Sequence, residues 1–319
     1  MDQSKAGSPI WAESYRPLTM SDVIIPDSVK AQFQAYADAG EIPNLLLTST
    51  SPGTGKTTTA RAICRDIGIE RPLFINASLN NSIDNIRMDV TQYATTMSLY
   101  DGVAHKVVIL DEADRLTPAA QDSLKGLIEE VYSNCRFIMT ANRKSGIIAP
   151  LQSRLTQIDF KFSKDDEKRM LPKMFKRILE ILDIEQVTYD KKVVASIVQK
   201  VFPDNRQLLI FLQGEAQKGA IDEGSLARLN SMNPEFLVEA MKAKKYNDVR
   251  EWVANNADRL NDDFYDQLFK MLETKLVDQS IPQTVLILGD AQKYHTVVPS
   301  KFLHFLSVST ELMMQVQFK

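Results

Sequence analysis

The stretch Thr50-Ser51-Pro52-Gly53-Thr54-Gly55-Lys56-Thr57 follows a short apolar run and opens a helical pattern. Phosphate groups are held by converging backbone N–H groups, which approach closely where Cβ is missing, as at Gly53 and Gly55. A helix starting near Lys56 adds the positive end of its dipole. Lys56 would then reach the outer phosphates of a nucleotide, and the Thr57 hydroxyl would ligate Mg2+. The strict spacing puts a glycine where Thr50 stands; by itself the stretch is also compatible with a Gly-rich turn. A second constellation follows Val107-Val108-Ile109-Leu110, which ends in Asp111-Glu112-Ala113-Asp114. A buried strand delivering carboxylates at its C-terminal end suits metal and water chemistry: Asp111 would hold Mg2+ through water, and Glu112 would polarise an attacking water. Asn142, after the strand pattern Phe137-Ile138-Met139, is placed to orient that water or touch the outer phosphate. Arg154 and Arg206 read in isolation as surface charges.

These groups need a scaffold that brings strand ends together. Four compact apolar runs (Leu45-Leu46-Leu47, Leu73-Phe74-Ile75, 107–110 and 137–139) suit strands buried on both faces, with helical patterns at 57–67, 83–97 and 119–132 between them. Such alternation predicts an α/β fold with a parallel sheet, and Ile158-Asp159-Phe160 reads as an edge strand. Near Phe160 the pattern changes. Ser163 followed by Asp165, Asp166 and Glu167 reads as a helix start, and from there the strand signal vanishes. Helices are expected at 163–183, 190–201 and 206–218. Gly219, Gly224 and Asn230-Ser231-Met232-Asn233-Pro234 mark a boundary, and five further helical patterns follow between 234 and 316. The expected domains are a P-loop ATPase domain at 1–160, a helical lid at 161–230 and a helical collar for oligomerisation at 231–319.

Composition narrows the classes. The chain has 319 residues and a net charge of −3. Residues 1–160 carry 15 basic and 18 acidic groups, 161–230 carry 13 and 11, and 231–319 carry 10 and 12, so no segment is a polycation. The uncharged stretch 42–55 contains Pro43 and Pro52 and is too short to span a bilayer, so no membrane partner is expected. Met1 to Pro9 is polar without an apolar core, so no signal peptide is expected. Cys64 and Cys135 read as free thiols of a reducing cytoplasm, and His105, His295 and His304 are isolated in sequence, giving no metal cluster.

The order of the motifs is that of AAA+ ATPases. Trp11-Ala12-Glu13-Ser14-Tyr15-Arg16-Pro17 resembles the Trp-x-Glu-Lys-Tyr-Arg-Pro box of clamp-loader ATPases. Asn76-Ala77-Ser78 followed by Ile83 and Arg87, Asp111 through Thr117 followed by Ala120-Gln121, Ser153-Arg154 and Asp204-Asn205-Arg206 resemble the same family. Specific motifs cover 11 to about 218; residues 231–319 match by length and helical character. The compact length and the 51–57 loop resemble the phage branch of that family most, so the host cytoplasm is the expected location.

The resemblance implies a protein that binds and hydrolyses ATP with Mg2+ to open a ring-shaped sliding clamp and load it on primer–template DNA. It works beside other copies of itself and a distinct small subunit in a pentamer. Ala12, Glu13, Ser14, Tyr15 and Ile24 match positions lining the adenine; Gly53, Thr54, Gly55, Lys56, Thr57 and Thr58 match the phosphate loop; Asn142 and Arg206 match the two sensors. Arg154 matches the arginine finger that reaches the nucleotide of the next subunit. Asn76 matches the polar residue that restrains Glu112 until DNA binds. Ser82, Ile83, Arg87 and Thr117 match positions that hold template phosphates, largely through helix N-termini. Ser14, Thr50, Leu155 and Pro203 depart from the family pattern without removing a needed chemical group. Other AAA+ DNA machines, such as a helicase loader or a branch-migration motor, are argued against by the 11–17 box. A non-hydrolysing scaffold subunit is argued against by intact Lys56, Asp111, Glu112 and Arg154.

Overall fold

The computed structural model describes residues 10–49, 51–79, 83–96, 105–257, 260 and 262–319. The chain forms two units, Met1–Ile221 and Asp222–Lys319. The first begins with α1 (Trp11–Ser14), α2 (Asp27–Ala39), β1 (Leu45–Thr48), α3 (Lys56–Asp66), β2 (Leu73–Asn76) and α4 (Ile83–Thr95). It continues through β3 (Lys106–Asp111), α5 (Pro118–Glu130), β4 (Cys135–Ala141), α6 (Ala149–Gln152) and β5 (Thr156–Asp159).

These five strands form one parallel sheet in the order β2-β3-β4-β1-β5. The strand at 156–159 is the edge expected there, paired to β1 alone. Successive strand residues go to opposite faces. Leu46, Val108, Leu110, Phe137 and Met139 pack with Ile86 and Val90 of α4 and Leu124, Leu127 and Ile128 of α5. Leu45, Leu47, Val107, Ile109 and Ile138 pack with Phe33 of α2 and Ala60 and Ile63 of α3. Burial on both faces explains why these strands read as unbroken apolar runs. Each fully buried Leu, Ile or Val contributes about 1.5–3 kcal/mol relative to exposure. Cys64 and Cys135 are free and buried in these layers, and burial pushes their thiols up to about 12 and about 11.

The same unit ends in α7 (Lys164–Ile184), β6 (Thr188–Tyr189), α8 (Lys191–Val201), α9 (Asn205–Ala216) and β7 (Ala220–Ile221). Ser163 and Asp166 cap α7 reciprocally. The sequence expectation that strands vanish after Phe160 is corrected here: β6 and β7 pair in parallel. Two-residue strands are too short to leave a periodicity, and this pair is fastened through the Asp190 N–H to the Ile221 carbonyl at 3.0 Å. The helix α2 was also unread in sequence, although Gly40 ends it in the left-handed conformation, φ 66°.

The second unit is helical: α10 (Glu223–Met232), α11 (Pro234–Lys242), α12 (Tyr246–Asn256), α13 (Asp262–Lys275), α14 (Ile281–Tyr294) and α15 (Lys301–Gln315). Helix α10 occupies sequence read as a boundary; Asp222 caps it, so Gly224 falls inside its first turn. The core gathers Trp252, Phe264, Leu268, Phe305 and Leu312. His295 and His304, read as isolated in sequence, meet on the Tyr265 hydroxyl at 3.1 Å each. Within the 302–306 stretch, Phe305 and Leu306 are core while Leu303 is exposed.

Candidate active site

β1 leads into the phosphate loop, and the loop hands over to α3 at Gly55, whose φ of 97° suits glycine alone. No side chain caps α3. Helices α5, α7, α8 and α9, by contrast, are capped by Thr117, Ser163, Asp190 and Asp204. The first N–H groups of α3 are therefore free to bind an anion.

Three adjacent strand ends converge here. Asp111 leaves β3, and its Oδ1 accepts from the Thr57 hydroxyl at 2.7 Å and from the Thr140 hydroxyl at 2.7 Å. Thr140 Oγ1 in turn accepts from the Glu112 N–H at 3.0 Å. Lys56 Nζ donates to Asn142 Oδ1 at 3.0 Å. Burial holds the Lys56 ammonium below its ordinary pKa; Asp111 and Asp114 oppose that shift, and Arg206 adds to it.

The groups line one cavity of about 320 Å3. Gly53, Thr54, Gly55, Lys56, Thr57 and Thr58 form its loop side, with Asn76, Asp111, Glu112, Asn142 and Arg206 around it. Ala12, Tyr15 and Ile24 belong to an apolar wall that Val23, Met174, Ile178, Ile181 and Leu209 complete. A polar floor and an apolar wall suit a nucleotide, phosphates on one and base on the other. Thr54 Oγ1 and Asn205 Oδ1, on lining residues, are buried without a protein partner. Orphaned buried polar atoms are rare and fit a polar ligand.

The apolar wall is strapped to the rest of the unit. The Trp11 N–H donates to Gln213 Oε1 at 3.0 Å, the Tyr15 hydroxyl donates to Glu185, and Arg16 Nη1 donates to Thr58 Oγ1 at 3.1 Å. Gly53 touches the start of α9: its carbonyl accepts from the Asn205 N–H at 3.2 Å, and a Cβ there would lie 1.9 Å from Asp204 Oδ1.

Other sequence-predicted residues stand elsewhere. Glu13 pairs with Arg16 at 2.6 Å, and the Ser14 hydroxyl donates to the Ile10 carbonyl at 3.0 Å; neither lines the cavity. Arg154 is also outside it, with Nε donating to Glu129 at 2.6 Å. Asn76 and Glu112 both line the cavity; Asn76 Oδ1 accepts from the Ser78 N–H at 2.8 Å, and Ser78 Oγ donates to Glu112 Oε2. Ile83 opens α4, Arg87 faces Glu130 at 3.7 Å, and Thr117 accepts from the Ala120 N–H at 3.2 Å. Ser82 and Thr50 lie outside the described residues. Sequence reasoning missed Arg16, Asp22, Met174, Arg177, Ile178, Ile181, Asn205 and Leu209 as lining residues. The spacing of Met174, Ile178 and Ile181 signals a buried helical face but not what that face covers.

Strand, phosphate loop and paired carboxylates on this sheet define a P-loop ATPase of the AAA+ class. Residues 46–163 match the ATPase family associated with various cellular activities (AAA). Residues 166–227 match the family described as sliding-clamp-loader large subunit, AAA+ ATPase lid domain. The chain is 34% identical to the sliding-clamp-loader large subunit of Enterobacteria phage T4, with 97% of each chain covered. It is 36% identical to the replication factor C small subunit of Archaeoglobus fulgidus, covering 73% of this chain and 72% of that one. The chain belongs to the family of sliding-clamp-loader large subunits. Among solved structures, the RuvB Holliday junction branch migration motor of Thermotoga maritima superposes with a TM-score of 0.54 at 18% identity, over 72% of this chain and 80% of that one. That likeness is one of fold.

Proposed function

We propose that this chain is the ATP-hydrolysing subunit of a sliding-clamp loader, which opens a ring-shaped clamp and closes it around primer–template DNA during replication in an infected bacterial cytoplasm. What carries this reading is similarity to clamp-loader large subunits over 97% of the chain, joined to a full phosphate-handling set around one cavity. The triphosphate lies over the N-terminus of α3, where Lys56 neutralises its outer oxygens. The base rests on the wall that includes Ala12, Tyr15 and Ile24. Thr57 and Asp111, one hydroxyl and one carboxylate 2.7 Å apart, fit Mg2+, which takes few protein ligands beside phosphate oxygens. When bound, Mg2+ supplies charge that neutralises those oxygens. Glu112 accepts the proton of the attacking water, Asn142 orients it, and Arg206 senses the phosphates from the start of α9.

Arg154 acts in trans, on the nucleotide of the next subunit, which agrees with its place outside its own cavity. DNA phosphates are held by the helix starts at Ile83 and Thr117 with Ser82 and Arg87, so binding needs no net positive charge. The partners are the clamp, further copies of this chain and a distinct small subunit in a pentamer.

The test is ATP hydrolysis by the assembled loader with and without primer–template DNA and clamp. Turnover should rise strongly with the junction and collapse in Arg154→Ala. Mixing Arg154→Ala with Glu112→Gln protein should restore part of it, because one mixed interface is intact. Strictly additive loss would refute shared sites, and hydrolysis indifferent to DNA would refute the loading role.

A further inference from the structure

Glu112 is the group proposed above to take the water proton, and its position is set by contacts that no motif announces. It turns out of β3 in the left-handed region, φ 56° and ψ 42°, an unfavourable conformation for a residue with a Cβ. The surroundings hold it there at both ends. Its N–H is tied to Thr140 on β4 at 3.0 Å. Its carboxylate is tied to the turn after β2, where Ser78 Oγ donates to Oε2. Ser78 is itself oriented, because its N–H donates to Asn76 Oδ1 at 2.8 Å.

We infer that Ser78 is a positioning residue for Glu112: it occupies Oε2 and leaves Oε1 to meet the attacking water. A glutamate has three side-chain torsions, and a base that wanders among rotamers is seldom within reach of its proton. A carboxylate has acceptor sites to spare on two oxygens, so pinning one oxygen orients the other without using it up. Among the described residues the Asn76 side chain bonds to the Ser78 N–H, so it orients the turn that carries the Ser78 hydroxyl. Ser78 is an exposed residue, so removing its hydroxyl opens no cavity.

This inference rests on the reading of Glu112 as base, and the experiment separates the two. In the assembled loader with primer–template DNA and clamp, Ser78→Ala should lower kcat about tenfold and leave the KM for ATP within about twofold. Ser78→Thr, which keeps the hydroxyl, should restore most of the rate. In a Glu112→Gln background, Ser78→Ala should change nothing further, as expected when one residue acts through the other. Hydrolysis lost in Glu112→Gln but unchanged or raised in Ser78→Ala would overturn this assignment alone; a raised rate would make the hydroxyl a restraint. Failure of Ser78→Thr to rescue would also overturn it. Hydrolysis retained in Glu112→Gln would overturn both readings.

Discussion

Thr140→Val isolates the polar joint between β3 and β4. Thr140 is 2% exposed, and valine fills nearly the same volume, so packing survives and only the hydroxyl chemistry is lost. Two hydrogen bonds disappear: one accepted from the Glu112 N–H at 3.0 Å and one donated to the Asp111 carboxylate at 2.7 Å. A bond to a charged group contributes about 1.5–3 kcal/mol and a neutral one about 1 kcal/mol, while a buried donor left unpaired costs about 1–3 kcal/mol. Asp111 keeps its bond from Thr57, which offsets part of the loss. The net is about 2–4 kcal/mol, which in a unit of this size lowers its Tm by about 5–15 °C. Scanning calorimetry of the first unit's transition reads this directly, with Thr140→Ser as the control that regains most of the stability. Turnover should fall as well, since Glu112 loses the anchor that holds its left-handed turn. A valine variant melting within about 2 °C of the parent and hydrolysing normally would refute the account of this joint.

Two further outcomes follow from other contacts. Lys56 sheds its proton more readily in the folded apo-protein than in the unfolded chain, so apo stability should rise with pH between the depressed folded value and the ordinary 10.5. A bound triphosphate reverses the depression, so ATP binding at a pH between the depressed value and the ordinary 10.5 should take up protons; titration calorimetry in two buffers of different ionisation enthalpy shows this, and a buffer-independent heat would refute it. Gln121 is 1% exposed; its amide donates to the Leu116 and Gly146 carbonyls at 3.0 and 2.8 Å and accepts from the Ile148 N–H at 2.8 Å. Gln121→Leu orphans three backbone groups and should cost about 2–4 kcal/mol, read as a lowered urea midpoint for the first unit; an unchanged midpoint would refute it.

Residues that act next to their own backbone were legible in sequence. The phosphate loop declares itself because glycine, lysine and threonine must stand at fixed offsets between a strand and a helix. Asp111 and Glu112 do so because a doubly buried strand is a conspicuous apolar run. Legibility fell where a role depends on what packs against what. The apolar wall from α7 and α9 looks like any amphipathic helix until the fold brings Met174 and Leu209 beside Tyr15. β6 and β7 are too short to impose a period, and α10 hides behind a glycine and a proline that sequence reading takes as punctuation. Family likeness points to Asn76 but not to Ser78, two residues on in the same turn, whose bond to the Glu112 carboxylate joins two strand ends and leaves no pattern in sequence.

The strand order explains how such distant motifs become one site. Were strands laid down in chain order, β1 would sit beside β2, and the loop after it would face Asn76. Instead β4 lies between β3 and β1. Leu46 is in register with Met139, and Ile109 with Ile138, so the C-terminal ends of all three strands finish close together. Parallel strands deliver their ends, and the loops that follow, to one edge of the sheet. That places Thr57, at the start of the helix after the first strand, and Thr140 of the fourth strand each within a single hydrogen bond of Asp111 at the end of the third. Thr140, the residue from the strand between, bonds to Asp111 and Glu112 alike, so a movement of β4 at this edge would shift the metal-ligand candidate and the base candidate together. Asn142 leaves the same strand end and meets Lys56. A signal reaching β4 from α6 and the segment bearing Arg154 therefore has a short route, through single hydrogen bonds from Thr140 and Asn142, to Asp111, Glu112 and Lys56.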